Sequence, residues 1–164
     1  MVWGAFWDLG KSGCYIMDRD FESAKHRYSA YSYLEVLEAE VGPIFENLDT
    51  GYMFMQDNAS IHIAYKVRDW FIDRAITRFL NWLPYSPDLN PIEHVWWHLK
   101  VRVYEMFPEV ANDKSESEHT RQQLESCIQA AWDTLDQGLF NNLGRSMRAR
   151  VEACIAADSW HTKY

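Results

Sequence analysis

Short apolar, β-prone runs alternate along this chain with stretches whose apolar residues recur every three or four positions, and that alternation limits the possible folds most. The chain begins MVWGAFW, passes through the turn-rich DLGKSG (residues 8–13) and resumes with CYIM (residues 14–17), a pattern that predicts a β-hairpin. Over residues 29–41, Tyr33, Leu34, Leu37 and Val41 fall at helical spacing, and Gly42 and Pro43 are expected to stop that helix. YMFMQ (residues 52–56) predicts a short buried strand, IHIAYKVRDWFIDR (61–74) a helix with Ile63, Val67, Trp70 and Phe71 on one face, and TRFLNW (77–82) another strand. A helix follows from Pro91 to about Phe107. The order hairpin, helix, strand, helix, strand, helix predicts an α/β sandwich with a mixed sheet. PEVANDKSESEHT (108–120) is expected as an exposed acidic loop, and two amphipathic helices, near 121–135 and 139–157, are expected to finish the chain.

Composition narrows the function classes. At 164 residues, with 15% aromatic and 24% charged side chains, the chain has enough apolar material for a core and is not of disordered type. No run approaches the roughly 18 to 20 apolar residues a membrane helix needs, and the N-terminus lacks the pattern of a signal peptide. Cys14, Cys127 and Cys154 lie far apart and suggest a reduced intracellular chain without a disulfide framework. The net charge of −8 argues against a broad nucleic-acid-binding surface, because phosphate affinity comes from Lys and Arg. It leaves room for a local cationic patch.

Two carboxylates stand in positions suited to chemistry. In SPDLNPIEHVW (residues 86–96), Asn90 fits a helix N-cap and Pro91 the first helical position, which puts Glu93 three residues after the cap. That spacing serves a capping role, and the same helix terminus favours the ionised carboxylate that ligates Mg²⁺. Asp57 follows the YMFMQ strand and precedes Asn58, a position for a turn-forming side chain and also one where functional residues of α/β sheets gather. Both readings stay open for each acid. His62 is a candidate for orienting a phosphate or a water, or simply a polar residue at a helix start. His94 and His98, at i and i+4, have zinc-like spacing but no HExxH pattern and no obvious third ligand. Arg145, Arg148 and Arg150 are candidate DNA-phosphate contacts, with a solvated helix face as the plainer reading.

The combination is more specific than its parts. Gln56-Asp57-Asn58, His62 and Ala64, then Trp82, Pro84, the run from Ser86 to Glu93, and Trp96 resemble the catalytic core of the Tc/mariner superfamily of DDE transposases. The 35 residues between Asp57 and Glu93 are close to that family's interval between its second and third catalytic acids, VWGAFW also looks like a family piece, and the terminal WHTKY is most like fungal members. The resemblance implies a ribonuclease H-like fold and Mg²⁺- or Mn²⁺-dependent DNA cleavage and strand transfer. It implies Asp57 and Glu93 as metal-holding acids, with Asn58 and His62 in support. Its implied partners are transposon ends and target DNA, with a homodimer or a fuller transposase copy, in the nucleus or elsewhere inside the cell. The family's first acid lies on a strand upstream of VWG, expected before Met1, and Asp8, Asp18 and Asp20 do not take its place. The chain therefore reads as a truncated ribonuclease H-like core over 1–107, an acidic loop over 108–120 and a C-terminal helical extension of the same domain over 121–164. Little activity is expected of it alone. A second reading makes it a non-catalytic transposon-derived remnant that binds nucleic acid or dimerises.

Overall fold

Turn residues close the first hairpin where the sequence predicts it, but the ladder breaks in its middle. In the computed structural model, which describes residues 1–23, 27–49, 51–79, 89–113, 115 and 117–157, β1 (Val2–Trp3) pairs antiparallel with β4 (Tyr15–Ile16), and β2 (Phe6–Trp7) with β3 (Gly10–Lys11). Two residues separate the paired segments on the outgoing strand and three on the return. Ser12 holds the break together: the Ala5 N–H donates to Ser12 Oγ at 2.8 Å and the Ser12 N–H to the Ala5 carbonyl at 2.9 Å. The chain divides into two compact units, Met1–Trp3 with Tyr15–Tyr85, and Gly4–Cys14 with Ser86–Tyr164.

In the first unit, Ser29 caps α1 (Ala30–Val36), its Oγ accepting the N–H groups of Tyr31 and Ser32. Gly42 and Pro43 do not stop this helix, contrary to the sequence expectation. The chain widens into a π turn (Leu37–Val41), in which the Gly42 N–H reaches the Leu37 carbonyl, and continues as α2 (Gly42–Asn47). Pro43 is tolerated because it falls in the first turn of α2, where its missing N–H needs no partner. Tyr33, Val36, Leu37 and Val41 are buried on one side of this helical run, against Val67, Trp70 and Phe71 of α3 (Tyr65–Asp73) and against Met17, Phe54 and Ile76. Residues 61–64, expected to be helical, instead form the turn that leads into α3.

Helix α3 ends in a Schellman arrangement: the Ile76 N–H bonds to the Phe71 carbonyl at 3.0 Å and the Ala75 N–H to the Ile72 carbonyl at 3.0 Å. Ile76 then packs into the core beside Phe71. The left-handed position of this motif normally belongs to glycine, but here Ala75 takes it at φ 53°. The following residues pair with the segment before Asp57. Phe54 and Arg78 form a parallel bridge, with the Phe54 N–H on the Thr77 carbonyl at 2.8 Å and the Phe79 N–H on the Phe54 carbonyl at 2.9 Å. Among the described residues, the two expected strands are represented by this bridge alone. Residues 80–82 of the second strand lie outside the described residues, as do Trp82, Pro84, residues 86–88 and the terminal WHTKY.

The second unit is built on α4 (Ile92–Met106), α5 (Pro108–Asn112), α6 (Glu118–Asp133) and α7 (Gln137–Ala156). Two helical pieces intrude on the segment expected to be a loop, 108–120. Pro108 suits the start of α5, and Ser117 starts α6 early by accepting the Thr120 N–H on its Oγ. Trp132 is fully buried at the centre of this unit. Its indole N–H donates to the Ser12 carbonyl at 2.8 Å, and its ring lies near Trp96 and Phe140. Gly4 permits that packing, since a Cβ there would stand 2.6 Å from the Trp132 ring. Lys11 Nζ caps the end of α6 by donating to the carbonyls of Trp132, Asp133 and Leu135.

Replacing Ala75 with glycine removes the left-handed penalty at a position where no hydrogen bond changes. Ala75→Gly is expected to raise stability by about 0.5–1 kcal/mol despite glycine's entropy cost, measured by urea denaturation. A destabilised variant would show that Ala75 is not strained.

Candidate functional site

Asp57 leaves the bridged strand in the first unit and begins a tight turn. Its Oδ1 accepts the Ala59 N–H at 3.0 Å, the Asx geometry that the sequence position allows. A second donor reaches the same oxygen: His62 Nδ1 lies 2.6 Å from Asp57 Oδ1. Both bonds fall on Oδ1. The carboxylate is about half exposed and the imidazole mostly covered, at 49% and 18% of their side-chain surfaces. Because the carboxylate accepts, Nδ1 carries the proton, and in the neutral ring Nε2 is then the acceptor.

His62 is itself held in place. Its ring packs on Tyr33 with centroids 4.4 Å apart, its backbone carbonyl accepts from Gln56 Nε2 at 3.2 Å, and its N–H bonds to the Ala59 carbonyl at 2.8 Å. Gln56 is fixed in turn by the fully buried Tyr33, whose hydroxyl donates to Gln56 Oε1 at 2.5 Å. A chain of contacts thus runs from the core of this unit to the exposed acid: Tyr33, Gln56, His62, Asp57. Burial pushes the Tyr33 hydroxyl far above its ordinary range, and the Asp57 charge adds to the shift. The phenol therefore remains a donor through alkaline pH.

A cleft of about 720 Å³ opens beside this turn, with Asp57, Asn58, Arg68 and Arg78 among its lining residues. The structure thus brings the predicted Asp57, Asn58 and His62 into one neighbourhood. Tyr33, Arg68 and Arg78 were not singled out from the sequence, and Gln56 only as part of a motif. The available signal was Gln56 itself, a polar side chain on the same strand face as core-facing Phe54, a position that demands a partner.

Glu93 belongs to the second unit. It lies in the first turn of α4, exposed, with its N–H on the Asn90 carbonyl at 3.2 Å. Asn90 Oδ1 accepts the Ile92 N–H at 3.4 Å, so Asn90 serves the helix start although Pro91 is the cap residue. Arg145 and Arg148 are exposed on α7, Arg148 in an ion pair with Glu152 at 2.9 Å. Arg150 points the other way: it is 2% exposed and its Nε donates to Ser146 Oγ. Burial holds His94 below its ordinary value, followed by the nearby Arg150 charge and then His98. A guanidinium beside the histidine pair disfavours a bound cation, and no group of three or more His, Cys, Asp or Glu forms a cation cluster among the described residues.

The sequence profile of the DDE superfamily endonuclease family matches residues 18–115. The chain belongs to that family. The transposable element Tc1 transposase of Caenorhabditis elegans is 33% identical over 165 residues, covering 100% of this chain and 54% of that protein. The chain thus spans about half the length of that relative. Among solved structures, the Mos1 transposase catalytic domain with Raltegravir and Mg aligns over 99% of this chain and 83% of that one, at 19% identity and a TM-score of 0.61. The same domain with Raltegravir and Mn aligns over 99% and 82%, at 18% identity and a TM-score of 0.60. The fold of this DDE chain is accordingly the ribonuclease H-like one expected from its motifs. No helix among the described residues is long and apolar enough to cross a membrane.

The contact chain to Asp57 gives a pH signature. In the unfolded protein Tyr33 ionises near its ordinary value of 10, whereas in the folded protein it keeps its proton to higher pH. Above that value the folded state binds more protons, so stability is intact below pH 10 and falls as pH rises further. Tyr33→Phe is expected to cost about 1 kcal/mol at neutral pH through the lost hydrogen bond and to flatten the alkaline decline. Tyr15, also raised by burial, leaves a residual slope. Denaturation midpoints between neutral pH and pH 11 check this; an unchanged slope in the variant would refute it.

Proposed function

We propose that this DDE-family chain serves metal-dependent cleavage and strand transfer of DNA, with Asp57 and Glu93 as two of the acids that hold Mg²⁺ or Mn²⁺. The observation that carries the reading is the setting of Asp57. A turn-forming aspartate needs only the Ala59 N–H, yet this one also has a stacked histidine on the same oxygen and a buried tyrosine behind it. Such support directs a ligand, because it fixes one oxygen and leaves the other side of a half-exposed carboxylate toward solvent.

The donor chemistry fits a hard divalent cation. Asp57 and Glu93 offer carboxylate oxygens and Asn58 an amide oxygen, the ligand types that Mg²⁺ and Mn²⁺ accept. The start of α4 favours the ionised form of Glu93. When bound, the metal supplies activation of the attacking oxygen and stabilisation of charge on the phosphodiester. His62 orients Asp57 through Nδ1. Arg145 and Arg148 are the α7 positions suited to outer phosphate contacts, whereas the inward Arg150 suits a packing role. The partners in this reading are transposon ends, target DNA and a second transposase copy, with the activity in the nucleus or elsewhere inside the cell. Two of the family's acids have matches in these 164 residues and the upstream one does not, so slow turnover is expected of this stretch on its own.

Two readouts test the proposal. Mn²⁺ binding, followed by electron paramagnetic resonance, is expected to weaken roughly 10- to 100-fold in His62→Ala and to be lost in Asp57→Ala with Glu93→Ala. Slow Mn²⁺-dependent nicking of supercoiled DNA should disappear in the same double variant. Nicking that persists at the wild-type rate in the double variant would remove both acids from the chemistry.

A further inference from the structure

The cleft beside Asp57 has a feature that the proposed metal chemistry does not use. Arg68, on the exposed side of α3, and Arg78, at the parallel bridge, both line it, together with Asn58, Ile72 and Phe79. Four other arginines are answered by carboxylates, Arg74 by Glu38 and Glu46, Arg102 by Glu105, Arg121 by Glu118 and Glu125, and Arg148 by Glu152. Arg68 and Arg78 form no ion pair among the described residues. Their contacts are aromatic faces instead, Arg68 over Tyr65 at 5.7 Å and Arg78 over Phe71 at 4.9 Å.

Placing two such groups in one cleft leaves like charges facing one another, with Asp57 the one carboxylate among the described lining residues and in no ion pair with either. Burial holds Arg78 below its ordinary value, and the like charge of Arg68 adds to the effect. A chain with a net charge of −8 has carboxylates to spare, yet the one lining this cleft, Asp57, pairs with His62 and with neither arginine among the described residues. An anion from outside would suit both groups. Planar guanidiniums suit phosphate oxygens through paired N–H donors. The exposed Ile72 and Phe79 give the same cleft apolar walls on which sugars and bases can lie.

We propose that Arg68 and Arg78 form a phosphate clamp that seats the DNA backbone in the cleft beside Asp57. Resting on the transposase reading, the clamp gives that site its substrate contact. It makes them positioning residues: they hold neighbouring phosphates and so present a phosphodiester to the acid.

The test is the salt dependence of binding by the full 164-residue chain to a fluorescein-labelled DNA duplex without divalent metal, followed by anisotropy. Each phosphate neutralised contributes about 0.9 to the slope of log affinity against log salt. Arg68→Ala with Arg78→Ala is expected to lower that slope by about 2 and to weaken binding about tenfold or more at fixed salt. Arg68→Lys with Arg78→Lys, which keeps the charges, should retain most of the slope. If the double alanine variant fails to fold, Arg68→Ala alone, at an exposed position, should lower the slope by about 1. Wild-type binding with an unchanged slope in folded alanine variants would overturn the clamp and leave the metal reading intact. A wild-type chain that binds no duplex at all would overturn both.

Discussion

The hydrogen bond from the buried Tyr33 hydroxyl to Gln56 is what the first unit depends on for its chemistry. Tyr33 belongs to the core through its ring, and its hydroxyl must find a partner because an unpaired buried donor is costly. Gln56 supplies the acceptor and spends its amide on the His62 carbonyl. The requirement to satisfy one buried polar group thus orders the residue before Asp57 and the residue that bonds to it. Packing of α1 is thereby transmitted to an exposed acid without any rigid strand extending that far. Loss of a helix contact near Tyr33 would be felt at Asp57, although the two side chains do not touch through a hydrogen bond.

Glu93 is set by a different device. Asp57 is held by the Ala59 backbone N–H and the His62 imidazole on one oxygen, and Glu93 stands in the first turn of α4. Asn90 fixes that turn, and the helix terminus contributes a field that favours the charged form. The first acid has a local tether, and the second stands in the field of a helix terminus. Substitutions around them should therefore differ in kind: changes near Asp57 alter orientation, while changes near Glu93 alter helix initiation and charge. In the second unit the structural counterpart of Tyr33 is Trp132, which is also fully buried and also has one polar atom to satisfy, through the Ser12 carbonyl.

Much of this was legible in the sequence because periodicity reports burial. Helices α3, α4, α6 and α7 fall close to their expected spans, since Val67, Trp70 and Phe71, or Val95, Leu99 and Val103, mark one buried face. The motif around Asp57 and Glu93 pointed to the right family. Other features escaped for physical reasons. The π turn before Pro43 depends on a hydrogen-bond shift that no residue type announces, so a helix stop was the natural expectation. Helix α6 begins earlier than its apolar pattern because Ser117 caps it through a side-chain bond, not through burial. Arg150 reads as one more surface cation among three, and only three-dimensional packing turns it inward. The same holds for Tyr33 and Gln56, 23 positions apart, whose pairing is a fact of tertiary structure.

Net charge was the sequence feature most open to misreading. A chain at −8 should repel a polyanion at long range, but exposed charges are screened within about 8–10 Å at physiological ionic strength. What a phosphate meets at contact is the local set of groups. In the first unit Glu38 and Glu46 are engaged with Arg74, while the cleft lined by Asp57 holds two guanidiniums that form no ion pair among the described residues. The segregation is more telling than the total. Acidic residues elsewhere lower non-specific attraction to nucleic acid, and arginines that form no ion pair among the described residues preserve attraction at the cleft where the acid stands. An acidic protein can in this way favour one seat for an anion over its general surface, provided that the pairing pattern, and not the sum of charges, is what folding enforces.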